Sequence, residues 1–121
     1  MKWHEEALPE DCLNALRRLS PVKSLGEFYL AGGTALALRL GHRISVDLDF
    51  FSAKNPLNEP ERAALQEDLS KSGRVRVDEQ KDKTLHLRMD GTHVSFFHYV
   101  PALLARTDRW NNLQIASAVD I

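Results

Sequence analysis

Between positions 8 and 19 the apolar residues Leu8, Cys12, Leu13, Leu16 and Leu19 recur at spacings of three and four. A helix turns every 3.6 residues, so this spacing lines them along one face and predicts a helix over Pro9 to Leu19. Ser20-Pro21 ends it, because a residue before proline disfavours helical backbone. Glu27 to Ala31 reads as a short buried strand. Gly32-Gly33 breaks that strand, and Thr34 is placed to cap a helix over Ala35 to Leu40, rich in the good helix formers Ala and Leu. Gly41 stands where helices stop. Ile44 to Phe51 reads as a second strand. Its alternation puts Ser45, Asp47, Asp49 and Phe51 on one face, and Ile44, Val46, Leu48 and Phe50 on the other. A loop with two prolines, Ser52 to Pro60, leads to a charged amphipathic helix, Glu61 to Ser72. Ala64, Leu65 and Leu69 form its inward stripe, and Gly73 closes it.

The second half turns to β structure. Arg74 to Asp78 alternates, and Lys83 to Met89 alternates again. Asp90-Gly91 is the strongest short hairpin signal, and Thr92 to Tyr99 returns as the partner strand. Pro101 opens a short helical piece, PALLAR. The tail NNLQIASAVDI reads as a strand end followed by a helix start, with Ser117 and Asp120 in its first turns. The sum is an α/β (α+β) domain, a mixed sheet with helices mainly on one side.

Composition narrows the class. A chain of 121 residues, 43% apolar, is expected to form a single domain over residues 1–121 with one proper core. Sixteen basic residues against 17 acidic ones give a net charge of −1, so bulk charge offers no general attraction for nucleic acid. Any such contact needs a local patch. The single cysteine, Cys12, excludes an internal disulfide and suits a reducing compartment. No apolar run approaches spanning length and MKWHEEALPED has no signal core, so the expected location is the cytoplasm, away from membranes.

Asp47 and Asp49 carry the candidate chemistry. Two carboxylates at spacing two on a strand share a face. Packing gives no reason to place like charges there, so the pair calls for a cation, most simply a divalent metal that also holds phosphates. On the other side of the short helix, the Gly32-Gly33 turn lets backbone amides approach phosphate oxygens, next to the positive end of a helix dipole. Thr34 adds a hydroxyl. Either motif alone reads as readily as a tight turn or a pair of solvated acids. Together, on neighbouring strands, they compose a phosphate cradle beside metal-binding carboxylates.

These residues resemble a known family. Gly32-Gly33 followed by Asp47-Leu48-Asp49 is similar to the signature of the DNA polymerase β-like nucleotidyltransferase superfamily. The fuller string YLAGGTALALRLGHRISVDLDFFS resembles the AbiEii/AbiGii toxin branch, the transferase half of a type IV toxin–antitoxin pair. SFFHYVPALL and IASAVDI share the likeness, which runs from Phe28 to the C-terminus. The resemblance implies Mg²⁺-dependent transfer of NMP from an NTP to an acceptor hydroxyl, with RNA such as tRNA as the acceptor and an antitoxin protein as partner. It implies that Asp47 and Asp49 are catalytic metal ligands and that Gly32, Gly33 and Thr34 contact the triphosphate. His42, Arg43 and Ser45 would line the nucleotide site.

Two departures accompany the likeness. The superfamily's third carboxylate belongs on a later strand, and the matching stretch His93 to His98 has no acid, only Ser95 and His93 in reach. Relatives also continue past the IASAVDI-like segment into a helical half, so the expectation is a truncated copy or a short form, whose exposed apolar end a partner chain or homodimer would cover. Both departures support an alternative: a catalytically degenerate module that binds nucleotide or a partner. The remaining features have simpler readings. His4, His42, His86, His93 and His98 lack zinc spacing. Cys12 reads as core. Arg74, Arg76, Lys81, Lys83 and Arg88, interrupted by Asp78, Glu79 and Asp82, read as a solvated face rather than an RNA track.

Overall fold

Among the described residues seven strands form one mixed sheet in the order β3-β4-β5-β2-β1-β7-β6. The computed structural model describes residues 2–41 and 47–121. Among the described residues three α-helices accompany the sheet: α1 (Glu10–Leu19), α2 (Gly32–Leu40) and α3 (Glu59–Ser70). The strands are β1 (Tyr29–Ala31), β2 (Leu48–Ser52), β3 (Val75–Lys81), β4 (Thr84–Met89), β5 (Thr92–His98), β6 (Asp108–Trp110) and β7 (Leu113–Ile115). β2 runs parallel to β5, and β1 parallel to β7. The remaining neighbours are antiparallel.

The sheet has two unlike faces, because strand side chains alternate. Leu30, Leu48, Phe50, Leu85, Leu87, Val94, Phe96 and Ile115 all point into one core, at 1% exposure or less. Leu16 and Leu19 of α1, Ala35 and Leu38 of α2, and Leu65 and Leu69 of α3 join that same cluster. The helices therefore cover this face, as the pattern predicts. Phe96 lies at the centre, stacked on Phe50 at 5.4 Å and meeting the edge of Phe28 at 5.3 Å. The opposite face carries Asp49, Phe51, His86, Arg88, His93 and Phe97.

Several local expectations hold for the reasons given. Gly41 caps α2 in the left-handed region, φ 74°, and its N–H bonds the Ala37 carbonyl. Asp90 and Gly91 take φ of 50° and 88° between paired Met89 and Thr92, as a two-residue type I′ turn requires. Cys12 is buried in the core.

Other expectations need correction. Lys23–Glu27 is a 3-10 turn, so the first strand begins at Tyr29 rather than Glu27. α2 starts at Gly32 with Ala31 as its N-cap, so Thr34 is no cap but a buried residue of the first turn. α3 begins two residues earlier, after Asn58, and Ala64 faces solvent while Leu65 and Leu69 face in. PALLAR forms no helix. Leu104 is 83% exposed, so the segment lacks an apolar face to bury. Its backbone instead donates from Leu104 and Ala105 to the Asp120 carboxylate. The sequence reading also passed over β6, which turns into β7 at Asn111 with φ 51°. Residues 42–46, and with them His42, Arg43 and Ser45, lie outside the described residues.

Arg39 fastens the β7 side. Its guanidinium donates to the carbonyls of Ile115 and Ala116, pairs with Asp108 at 3.0 Å, and lies over the Trp3 ring. Trp110 donates to Glu5 at 3.1 Å, so both tryptophans tie the N-terminal segment to this edge. No helix among the described residues is long and apolar enough to cross a membrane.

Phe96→Ala is expected to cost about 3–5 kcal/mol, the range for removing a buried ring. Urea unfolding measures it, and a loss under about 1 kcal/mol would show that the aromatic cluster is not the centre of the core.

Candidate functional site

β1 and β2 pair with Ala31 opposite Asp49, so the turn that leaves β1 starts beside a carboxylate. Gly32 makes that turn at φ 68°. The left-handed backbone favours glycine there, and a Cβ would stand 2.8 Å from Asp49 Oδ2 and push that carboxylate aside. The first turn of α2 follows at once, and Ala31 has no side-chain oxygen to offer its free amides. The helix dipole adds positive potential at the same end. The glycine turn and the carboxylate strand singled out in the sequence are thus adjacent in space.

Thr34 occupies a different place from the one expected. It is fully buried, and its hydroxyl donates to the backbone carbonyl of Asp47. The hydroxyl braces the carboxylate segment from behind, against the thiol of Cys12. Burial first, opposed by the Thr34 hydrogen bond and helped by the Asp47 charge, pushes that thiol up to about 11. At neutral pH Cys12 is therefore a packing group rather than a nucleophile.

The two carboxylates differ. Asp47 precedes β2, is exposed, and pairs with His93 Nδ1 at 3.7 Å. Asp49 is half-buried on the strand. Its pKa is raised, by burial first and then by the Asp47 charge, with His93 and His86 pulling the other way. Two oxygen ligands on one face form a hard donor set with an uncompensated charge. That fits a Mg²⁺-type ion, which takes one or two carboxylates and fills its shell with water and phosphate. Among the described residues no group of three or more His, Cys, Asp or Glu forms a complete metal cage.

Of the two β5 residues in reach where the resemblance implies a third acid, Ser95 stands opposite Asp49 and His93 faces Asp47. Ser95 is buried, with its hydroxyl 2.8 Å from His86 Nδ1 and 3.5 Å from His93 Nε2. The two imidazoles stack at 5.6 Å. Asp78 and Asp90 are engaged elsewhere, with Arg76, Arg88 and Arg18. In the sequence His86 shows only a lack of zinc spacing. Only the antiparallel register of β4, two residues across the Asp90-Gly91 turn, brings it to the site. On the other side of the carboxylates an open cleft of about 340 Å³ runs from Gly32 along Tyr29, Phe51 and Tyr99. Phe51 stacks between Tyr29 and Phe97 at 5.9 and 5.1 Å.

Residues 14–111 match the family described as nucleotidyl transferase AbiEii toxin, type IV TA system. The chain belongs to that family. It is also similar to the protein aq_aa25 of Aquifex aeolicus, 42% identical over 105 residues, spanning 84% of this chain and 50% of the relative. The crystal structure of JHP933 from Helicobacter pylori superposes with a TM-score of 0.56 at 20% identity, covering 92% of this chain and 54% of that one. A second H. pylori structure gives 0.53 at 19% identity, covering 91% and 55%. These likenesses establish the nucleotidyltransferase fold. The chain spans about half the length of the relatives it matches.

The environment of Asp49 predicts a pH effect on stability. A carboxyl whose folded pKa lies above its unfolded value favours folding when protonated, and that contribution is lost as pH rises through the folded pKa. Asp49→Asn is therefore expected to raise the melting temperature at pH 7 in metal-free buffer. The gain should vanish below the ordinary aspartate pKa of about 3.9. A variant less stable than the parent at pH 7 would contradict the uncompensated carboxylate.

Proposed function

We propose that this domain binds a nucleoside triphosphate with Mg²⁺ and transfers its NMP to an acceptor hydroxyl. The observation that carries the reading is the contact of Gly32 with Asp49, which sets a glycine turn and helix N-terminus against two carboxylates. In this reading the amides of Gly32 and Gly33 receive the triphosphate, and Asp47 and Asp49 hold Mg²⁺. Thr34 acts on the carboxylates through the Asp47 backbone rather than on phosphate directly. His42, Arg43 and Ser45 complete the nucleotide site, as the family pattern implies. The base and ribose have room along the aromatic cleft of Tyr29, Phe51 and Tyr99. Mg²⁺, when bound, neutralises charge on the phosphates.

In the reaction the acceptor oxygen bonds to the α-phosphorus, the bond to pyrophosphate breaks, and the hydroxyl proton is released. The protein supplies position and electrostatics, which dominate such transfers. RNA is the proposed acceptor, an antitoxin the proposed partner, and the cytoplasm the proposed location. Val100, Leu104 and Val119 are exposed apolar residues on which an antitoxin or a second copy of the chain would bury area. Light scattering of the purified chain distinguishes monomer from dimer.

Ser95 in the place of a third acid favours one alternative, a module that binds nucleotide without turning it over. Calorimetric titration of the four NTPs, with and without Mg²⁺, tests both. The parent is expected to bind with Mg²⁺. Asp47→Asn/Asp49→Asn is expected to lose more than about tenfold in affinity, since contacts to charged groups carry about 1.5–3 kcal/mol each. Equal binding by parent and variant would remove the site assignment. Metal-dependent binding without pyrophosphate release in the presence of RNA would select the alternative.

A further inference from the structure

The register of the sheet assembles a feature that the linear sequence disperses. On the open face Arg76 of β3 pairs opposite Arg88 of β4, and Arg88 opposite His93 of β5. His93 in turn reaches Asp47. One row across four neighbouring segments thus runs Arg76, Arg88, His93, Asp47. Strands lie about 4.8 Å apart, so the row spans about 14 Å. Arg74, Arg76 and Arg88 line an open cleft of about 420 Å³ with Asp90 and Gly91. A second cleft of about 220 Å³ shares Arg88 and Gly91 and continues to Asp47 and His93. The arginine cleft therefore continues, past Asp11 and His93, to Asp47.

Like charges directly opposite each other on paired strands repel. Asp78 offsets this only in part: it lies 3.0 Å from Arg88 Nε and 3.4 Å from Arg76, one carboxylate between two guanidinia. Arg74 adds a third cation at the cleft, beside Asp90, whose carboxylate accepts from the Arg74 backbone N–H and pairs with Arg18. Fold stability gives no reason for three arginines here, since exposed pairs contribute little. Planar guanidinium forks match phosphate oxygens in pairs.

We propose that Arg74, Arg76 and Arg88 form a site for the backbone phosphates of a nucleic-acid acceptor, holding its strand so that a hydroxyl reaches Asp47 and Asp49. This rests on the transfer reading above, and names how the acceptor is held. The row selects the class of ligand. What binds the arginines must carry repeated anionic groups and also present a hydroxyl about 14 Å away across three strand spacings. A phosphodiester strand meets both demands with evenly repeated phosphates that the guanidinium forks match in pairs, whereas an acidic peptide offers carboxylates and needs a Ser, Thr or Tyr at the right distance; competition by polyglutamate separates the two. Asp78 moderates the site, competing with phosphate for both arginines of the pair.

The test measures anisotropy of a fluorescein-labelled 12-nucleotide oligouridylate between 50 and 200 mM KCl, with Mg²⁺–NTP calorimetry on the same proteins. The parent should bind with salt-dependent affinity. Arg76→Gln/Arg88→Gln should weaken binding about tenfold and reduce the salt slope by about 0.7 per arginine removed. Arg74→Glu should weaken it as well. Asp78→Asn should tighten it, a gain that misfolding would not produce. All should keep the parent's Mg²⁺–NTP affinity. No oligonucleotide binding by the parent, unchanged affinity and slope in the arginine variants, or equal competition by polyglutamate would overturn the phosphate site. None of these touches the nucleotide reading. Conversely, absent NTP binding with arginine-dependent oligonucleotide binding would overturn that reading and leave the phosphate site standing.

Discussion

The approach of Gly32 to Asp49 is the constraint on which the site depends. Backbone and carboxylate meet so closely that an added methyl group would stand 2.8 Å from Asp49 Oδ2, on a backbone whose positive φ already favours glycine. That closeness follows from pairing Ala31 with Asp49, and the pairing is fixed by the cores on either side: Leu30 and Phe50 share the buried face. A one-residue slip would turn Asp47 and Asp49 into the core and Phe50 out of it, which no sheet with one apolar face tolerates. The apolar residues thus set the chemical ones. Thr34 adds a second clamp from the helix to the Asp47 carbonyl, so the two motifs are joined at both ends of the carboxylate pair.

Covering one face of the sheet with all three helices leaves the other free for polar work. The consequence is a graded surface. Aromatic rings of Tyr29, Phe51 and Phe97 lie at the β1–β2–β5 level, acids and imidazoles in the middle, and arginines at the β3–β4 end. The costs are local. Asp49 carries a raised pKa, and Arg76 faces Arg88. Sites of function are where a sequence departs from its own packing rules, and here both departures lie on the uncovered face.

Much of this was legible in the chain. Periodicity placed α1, the two-residue Asp90-Gly91 turn fixed the β4–β5 hairpin, and the alternation around Asp49 gave the correct face, because each depends on residues close in sequence. Elements held by distant contacts were not legible. β6 is three residues long and exists through its pairing with β7. The PALLAR segment has good helix formers, yet the carboxylate of Asp120 takes its amides. Thr34 has the chemistry of a cap, and only the tertiary position of Asp47 reveals where its hydroxyl goes. His86 and the arginine row likewise require the register of three strands, which no local signal encodes.

The two carboxylates, similar in sequence, are unequal in the fold, and the inequality has a direction. Asp47 stands in solvent beside His93, with a cationic partner available whenever that imidazole is protonated. Asp49 is held between strand neighbours, over a glycine, next to a serine that cannot neutralise it. In the proposed reading a divalent ion would relieve the burial and the Asp47 repulsion that raise the Asp49 pKa against the pull of His93 and His86, while Asp47 opens toward the cleft that leads to Arg88. One carboxylate faces the turn that would cradle phosphate, and the other faces the row that would bring the acceptor. The site is polarised across the strand, and its order follows from which residues β1 and β5 set beside β2.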